Sequence, residues 1–265
     1  MRIAALLTVR NERLYIKKCL EHLISQGIEI CLVDNGSTDG TPAIASGFLG
    51  RGLISIEKLP YKGFFALEGI LKNEERLADE INADWFIHHD ADEIREAPKP
   101  YKTLLEGIEA ADKQGYNAIN FDEFVFLPTN MEESFEGKDY VKGMKYYYFF
   151  EPSPLRQIKA WKKIGSNIDL TNSGGHRAYF DGQKIFPNNF ILRHYIALSQ
   201  EHLIKKYSAR VFSKREVNDL GWHKARAYFD PDKLFLPKKE QLKTISDEGM
   251  WDKTDPWKSH AFLGS

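Results

Sequence analysis

The segment Arg2–Asp34, RIAALLTVRNERLYIKKCLEHLISQGIEICLVD, decides the fold. Arg2–Val9 is a nearly continuous apolar run, the pattern of a strand buried on both faces. Leu14, Ile16, Leu20, Leu23 and Ile24 then recur at helical spacing, and Gly27 supplies a stop. IEICLVD reads as a second strand. Strand and helix keep alternating. After NGSTDGT a helix starts near Thr41, where Pro42 is tolerated in the first turn. LISIEKL is a third strand, FFALEGILKNEERLADEIN a long amphipathic helix and DWFIHHD a fourth strand. This alternation predicts an α/β fold with a mainly parallel sheet and helices on both faces. Ligands of such sheets bind beyond the carboxyl ends of the strands. TVRNE, VDNGSTD and HHDADE each begin where a strand ends, so the three loops are expected on one rim.

The second half is less regular. PYKTLLEGIEAADKQG reads as a helix, and YNAINFDEFVF, KYYYFF and FILRHYI as strands. SQEHLIKKYSARVFSKREV reads as one amphipathic helix capped by Ser199. Residues from about 131 to 190 mix short strand candidates with turn signals. The lysine-rich tail with its scattered prolines and tryptophans cannot be placed from the sequence. The expected organisation is one domain over 1–230, regular over 1–95 and less regular over 96–230, followed by a C-terminal extension over 231–265.

At 265 residues the chain can bury a substantial core, and 42% apolar with 28% charged residues is ordinary for a globular protein. A net charge of -1 disfavours binding to nucleic-acid phosphates. Cys19 and Cys31 form neither a zinc spacing nor a disulfide framework and read as small buried hydrophobes, which suits a reducing compartment. No apolar run has the length of a membrane span, and MRIAALLTVRNER lacks the organisation of a signal peptide. The expectation is a cytoplasmic protein, compatible with peripheral contact at the inner face of a membrane.

The rim loops carry the chemistry. Asp90, Asp92 and Glu93 crowd three carboxylates into four positions, either as a solvated strand end or as oxygen donors for a hard divalent cation. Alternation places Asp90 and Asp92 on one side. Asp34 ends a buried strand, where a carboxylate can accept hydrogen bonds from a base or ribose. Asn35 and Gly36 permit an unusual turn, and Ser37, Thr38 and Asp39 can cap the next helix. His88 and His89, adjacent on a strand, point to opposite faces and cannot share one ion. His176, after Gly174–Gly175, is a candidate acceptor contact.

TVRNE, VDNGSTDGT and HHDADE, in this order and approximate spacing, resemble the family 2 glycosyltransferases of GT-A fold. FDEFVF and RHY suggest a bacterial branch more loosely, and the motifs of processive members are missing. The resemblance implies transfer of a sugar from a nucleoside-diphosphate sugar to a glycan or lipid-linked acceptor, with Mn2+ or Mg2+ as cofactor. It implies that Thr8, Arg10, Asn11 and Glu12 border the nucleotide and that Asp34 with Asn35 contacts base or ribose. Asp90 would contact ribose or metal, Asp92 the metal, and His194 would add a ligand unless it is a core histidine. Arg193 or Lys206 would stabilise the departing diphosphate. Members generally invert the anomeric centre and need one general base. Glu123 is preferred, on a mostly apolar face with Ile119, Phe121 and Val125; Asp122 and Asp169 are the alternatives. A sugar-phosphate nucleotidyltransferase would show a glycine-rich loop after the first strand, and TVRNERLY has none. An aspartate phosphatase would carry its acids after the first strand. A catalytically silent sugar-nucleotide or glycan-binding module is the remaining alternative.

Overall fold

The computed structural model describes residues 1–165, 168–245 and 250–263. Its strands are β1 (Ile3–Val9), β2 (Glu29–Asp34), β3 (Leu53–Lys58), β4 (Trp85–His89), β5 (Glu93–Glu96), β6 (Ala118–Phe126), β7 (Tyr146–Phe150), β8 (Ile158–Lys162), β9 (Phe190–Tyr195) and β10 (Lys243–Thr244). The helices are α1 (Ile16–Ser25), α2 (Thr41–Ser46), α3 (Leu67–Glu80), α4 (Leu104–Lys113), α5 (Tyr140–Gly143), α6 (Gln200–Ser208), α7 (Lys214–Asn218) and α8 (Lys224–Ala227). The chain forms two compact units. The first comprises Met1–Tyr61, Leu67–Asp122 and Leu155–Leu192, and the second Lys62–Ala66, Glu123–Pro154 and Arg193–Ser265.

In the first unit, β3, β2, β1 and β4 run parallel in that order. Val9 lies opposite Asp34, Asp34 opposite Lys58, and Leu7 opposite His89, so the carboxyl ends of these strands share one edge. Beyond β4 the sheet turns antiparallel through β8 to the first residues of β6. The parallel arrangement expected from the sequence therefore describes the amino-terminal strands, and the later ones are antiparallel. Alternation sends Ala4, Leu6, Cys31, Val33 and Phe86 to one face, where they form a core with Leu71, Leu77 and Ala78 of α3. α1 lies against β2 and β5 and buries Cys19, Leu20 and Leu23. Both cysteines are free and buried.

In the second unit β7 pairs antiparallel with the Glu123–Phe126 end of β6, and β10 pairs with β7. The tail finds its place here. The Trp251 ring stacks on Phe124 at 4.4 Å and that of Trp257 on Tyr148 at 4.3 Å. Ser199 caps α6 by accepting from His202 N at 2.9 Å. The single helix expected after it is broken, however, with α6 ending at Ser208 and α7 starting at Lys214. Between them Val211 O accepts from Phe65 N at 2.7 Å, and Phe212 meets the Phe65 ring edge-on. Among the described residues no helix is long and apolar enough to cross a membrane.

Candidate active site

The first two rim loops clasp each other. Asn11, with a left-handed φ of 57°, donates its backbone N–H to Ser37 Oγ and accepts from Thr38 N at 2.7 Å. Glu12 N donates to Thr41 Oγ1, and Arg13 N to Asp39 Oδ2. Asp39 also accepts from Thr41 N and Oγ1, closing a turn ahead of α2. Arg10 Nη1 donates to the carbonyls of Asn35 and Gly36, and its guanidinium stacks 3.3 Å from the Tyr61 ring centroid. A Cβ on Gly36 would lie 3.1 Å from Tyr61 and 3.3 Å from Arg10, and its φ is 69°, so conformation and space both require glycine.

Arg10 and the Asn35 side chain, which donates to Leu59 O at 3.0 Å, shape the rim through contacts within the protein. Thr8 turns its hydroxyl to Glu74 Oε1 at 2.7 Å. Asp34 ends β2 nearly buried and accepts from Ser37 N at 3.1 Å. Its position at the carboxyl end of a parallel strand keeps it a ligand candidate.

β4 stops at His89, so Asp90, Ala91 and Asp92 form a turn and strand alternation does not extend to the two acids. Glu93 already belongs to β5. The Asp90 side chain is 48% exposed, whereas Asp92 is only 8% exposed. Lys159 of β8, itself buried, places Nζ 3.0 Å from Asp90 Oδ2 and 3.3 Å from Glu93 Oε1. Glu93 Oε2 is held by Arg95, whose guanidinium lies 4.5 Å from the Phe121 ring centroid. Burial pulls the Lys159 ammonium towards lower pKa, but the Asp90 and Glu93 carboxylates outweigh it and raise the value above the ordinary lysine range. Burial, reinforced by Arg95, holds His89 well below the usual imidazole range, as a neutral ring with no hydrogen-bond partner among the described residues. His88, on the opposite face, donates Nδ1–H to Glu74 Oε2 at 2.5 Å.

Hard oxygen donors suit Mn2+ or Mg2+, which are often held by one or two carboxylates with substrate phosphates completing the shell. Asp90 and Asp92 fit that pattern. Among the described residues no three His, Cys, Asp or Glu side chains converge.

In the second unit His194 Nδ1 donates to Glu123 Oε1 at 2.7 Å, and Glu123 is only 3% exposed. Arg193 donates to Val141 O at 3.0 Å and lies between 5.5 and 5.7 Å from the Phe126, Tyr195 and Trp251 ring centroids. Lys206 donates to Ile196 O. In the first unit Asp122 accepts from Asn189 Nδ2 at 2.8 Å, Asp169 caps a turn by accepting from Asn172 N, and His176 Nε2 accepts from Arg156 at 3.0 Å.

Sequence reasoning missed Glu74 and Lys159. Each left a trace: Glu74 interrupts the stripe Ile70, Leu71, Leu77 and Ala78 on α3, and Lys159 shares a strand face with Trp161.

The LpsC lipopolysaccharide core biosynthesis glycosyltransferase of Rhizobium meliloti (strain 1021) is 31% identical over 118 residues, which are 42% of this chain and 38% of that protein. The chain thus matches under two fifths of that relative's length. Among solved structures, residues 1–349 of S. aureus TarS in complex with UDP-GlcNAc align at 14% identity, covering 79% of this chain and 64% of that one, with a TM-score of 0.48. The glucosyl-3-phosphoglycerate synthase of Mycobacterium tuberculosis in complex with Mn2+, UDP and glucosyl-3-phosphoglycerate aligns at 20% identity, covering 47% and 44%, with a TM-score of 0.30. The sequence model of Glycosyl transferase family 2 matches residues 5–180, which include all three rim loops and both units' shares of β6. The chain belongs to Glycosyl transferase family 2.

Proposed function

We propose that this protein transfers a sugar from a nucleoside-diphosphate sugar to a hydroxyl of a glycan or lipid-linked acceptor, with inversion and with Mn2+ or Mg2+ as cofactor. The observation that carries the reading is the pair Asp90 and Asp92, at the carboxyl end of β4 on the edge where β2 ends in Asp34. In this reading Asp34 binds the base or ribose, Asp90 the ribose or metal, and Asp92 the metal. The bound cation would supply Lewis-acid stabilisation to the departing diphosphate. Glu123 takes the proton of the acceptor hydroxyl. His194 supports that role, because an Nδ1–H donated to the carboxylate orients it. Asp122, which accepts from Asn189, is the second candidate.

The name of the LpsC relative favours a lipopolysaccharide-type acceptor. Contact with an anionic membrane surface at the cytoplasmic face fits the exposed Val211, Tyr228 and Phe235 in a lysine-rich region. Calorimetric titration of UDP and of GDP, with and without MnCl2, tests the donor reading. Metal-dependent binding of one nucleotide, lost in Asp92→Ala, is expected. Equal binding by wild type and Asp92→Ala refutes it.

A further inference from the structure

Lys159 gives the acidic turn an internal counter-ion. Its ammonium is 5% exposed and bridges Asp90 Oδ2 at 3.0 Å and Glu93 Oε1 at 3.3 Å, while Arg95 takes the other oxygen of Glu93. Asp90 and Glu93 thus share the two cations Lys159 and Arg95. Glu93 is consumed by the two cations. Asp90 is held through Oδ2 with its side chain still half-exposed.

A divalent cation arriving alone meets an ammonium in contact with Asp90, one of its candidate ligands. A nucleoside diphosphate brings negative charge of its own to offset that ammonium. We propose that Lys159 is a positioning residue that holds and partly neutralises Asp90, so that the Asp90–Asp92 turn captures a divalent cation efficiently only together with the nucleoside diphosphate. The inference rests on the metal-dependent reading of the donor site. It assigns the coupling between metal and nucleotide to a residue outside the recognised motif.

The test is Mn2+ binding, read as loss of the free-ion electron paramagnetic resonance signal. MnCl2 is titrated alone and with saturating UDP or GDP into wild type, Lys159→Met and Lys159→Arg. Wild type is expected to bind Mn2+ weakly alone and at least about ten-fold more tightly with the preferred nucleotide. Lys159→Met removes a positive charge within a few ångströms of the ion and should tighten binding of Mn2+ alone by about ten-fold, shrinking the nucleotide effect. Lys159→Arg should behave as wild type. Unchanged or weaker Mn2+ binding by a Lys159→Met protein with a wild-type thermal transition overturns the proposal. Lys159→Gln takes its place if the methionine variant does not fold. Nucleotide-linked Mn2+ binding by wild type without tightening in the variant sinks the Lys159 inference alone. Failure of wild type to bind Mn2+ with either nucleotide sinks the metal-dependent reading and this inference with it.

Discussion

Replacing Glu74 by leucine removes a carboxylate that joins α3 to β1 and β4. Glu74 is 1% exposed and accepts from Thr8 Oγ1 at 2.7 Å and His88 Nδ1 at 2.5 Å. Taking away one partner of a buried, charge-assisted pair costs about 3–5 kcal/mol, because the remaining groups stay desolvated and unpaired. Leucine returns about 1.5–2 kcal/mol through apolar burial in a stripe that already holds Leu71 and Leu77. The net loss is about 2–3 kcal/mol, or roughly 5–10 °C in the unfolding midpoint for a protein of this size. Glu74→Gln keeps one acceptor and should lose about 1–2 kcal/mol. Thr8→Val combined with Glu74→Leu should show coupling of about 1 kcal/mol, since both changes delete the same hydrogen bond. Scanning calorimetry at neutral pH is run on wild type, Glu74→Leu, Glu74→Gln, Thr8→Val and the double variant. A Glu74→Leu midpoint within 1 °C of wild type, or strictly additive effects, would refute the argument.

Glu123→Gln should reduce sugar transfer by at least about a hundred-fold while leaving nucleotide affinity unchanged; undiminished turnover in a donor-transfer assay removes Glu123 as the base. Gly36→Ala forces a side chain into φ 69° against Tyr61 and Arg10, and should cost about 1–3 kcal/mol in a denaturant melt and weaken nucleotide binding; a wild-type melt contradicts the clasp. Burial, then Arg226 and Arg210, press the His223 imidazole down to about 3 from 6.5, and Glu216 Oε2, at 3.6 Å, does not reach hydrogen-bonding distance to offset them. Its contribution is complete above pH 6.5 and is lost as pH falls towards 3, with a slope of up to about 1.4 kcal/mol per pH unit. His223→Phe should flatten that part of the stability profile, and an unchanged slope between pH 6 and 4 rejects the assignment.

The parallel strands could be read from the sequence because each carries its own pattern and its own stop. β5 could not, since Glu93-Ile-Arg-Glu looks like a solvated turn until Arg95 and Lys159 are known to absorb the charge of Glu93. The break after α6 was hidden for a similar reason. Lys205 to Val217 has adequate helical character, and only the contact of Phe212 with Phe65, far back in the chain, explains the extended segment between α6 and α7. Trp251 and Trp257 looked scattered because their partners lie on β6 and β7.

At the rim, the motif strings announced their loops faithfully, and many of their residues are also engaged within the protein. Much of VRNE and DNGSTDG is spent on mutual capping, which depends on the same Asn, Asp, Ser and Thr side chains that could bind a nucleotide. Composition cannot separate the two uses; only the direction of each hydrogen bond can. The reverse holds for Glu74 and Lys159, where one charge in an apolar pattern marks a buried pair without naming its partner 66 or 69 residues away. Asp122 and Glu123 show the limit most sharply. Neighbours on a strand face opposite ways, so one acid meets Asn189 and the other His194. Choosing the base between them is a choice between two faces of β6. Glu123→Gln should therefore abolish transfer while Asp122→Asn, which keeps an oxygen acceptor for Asn189, lowers it only modestly. The opposite ranking would move the base to the Asn189 face.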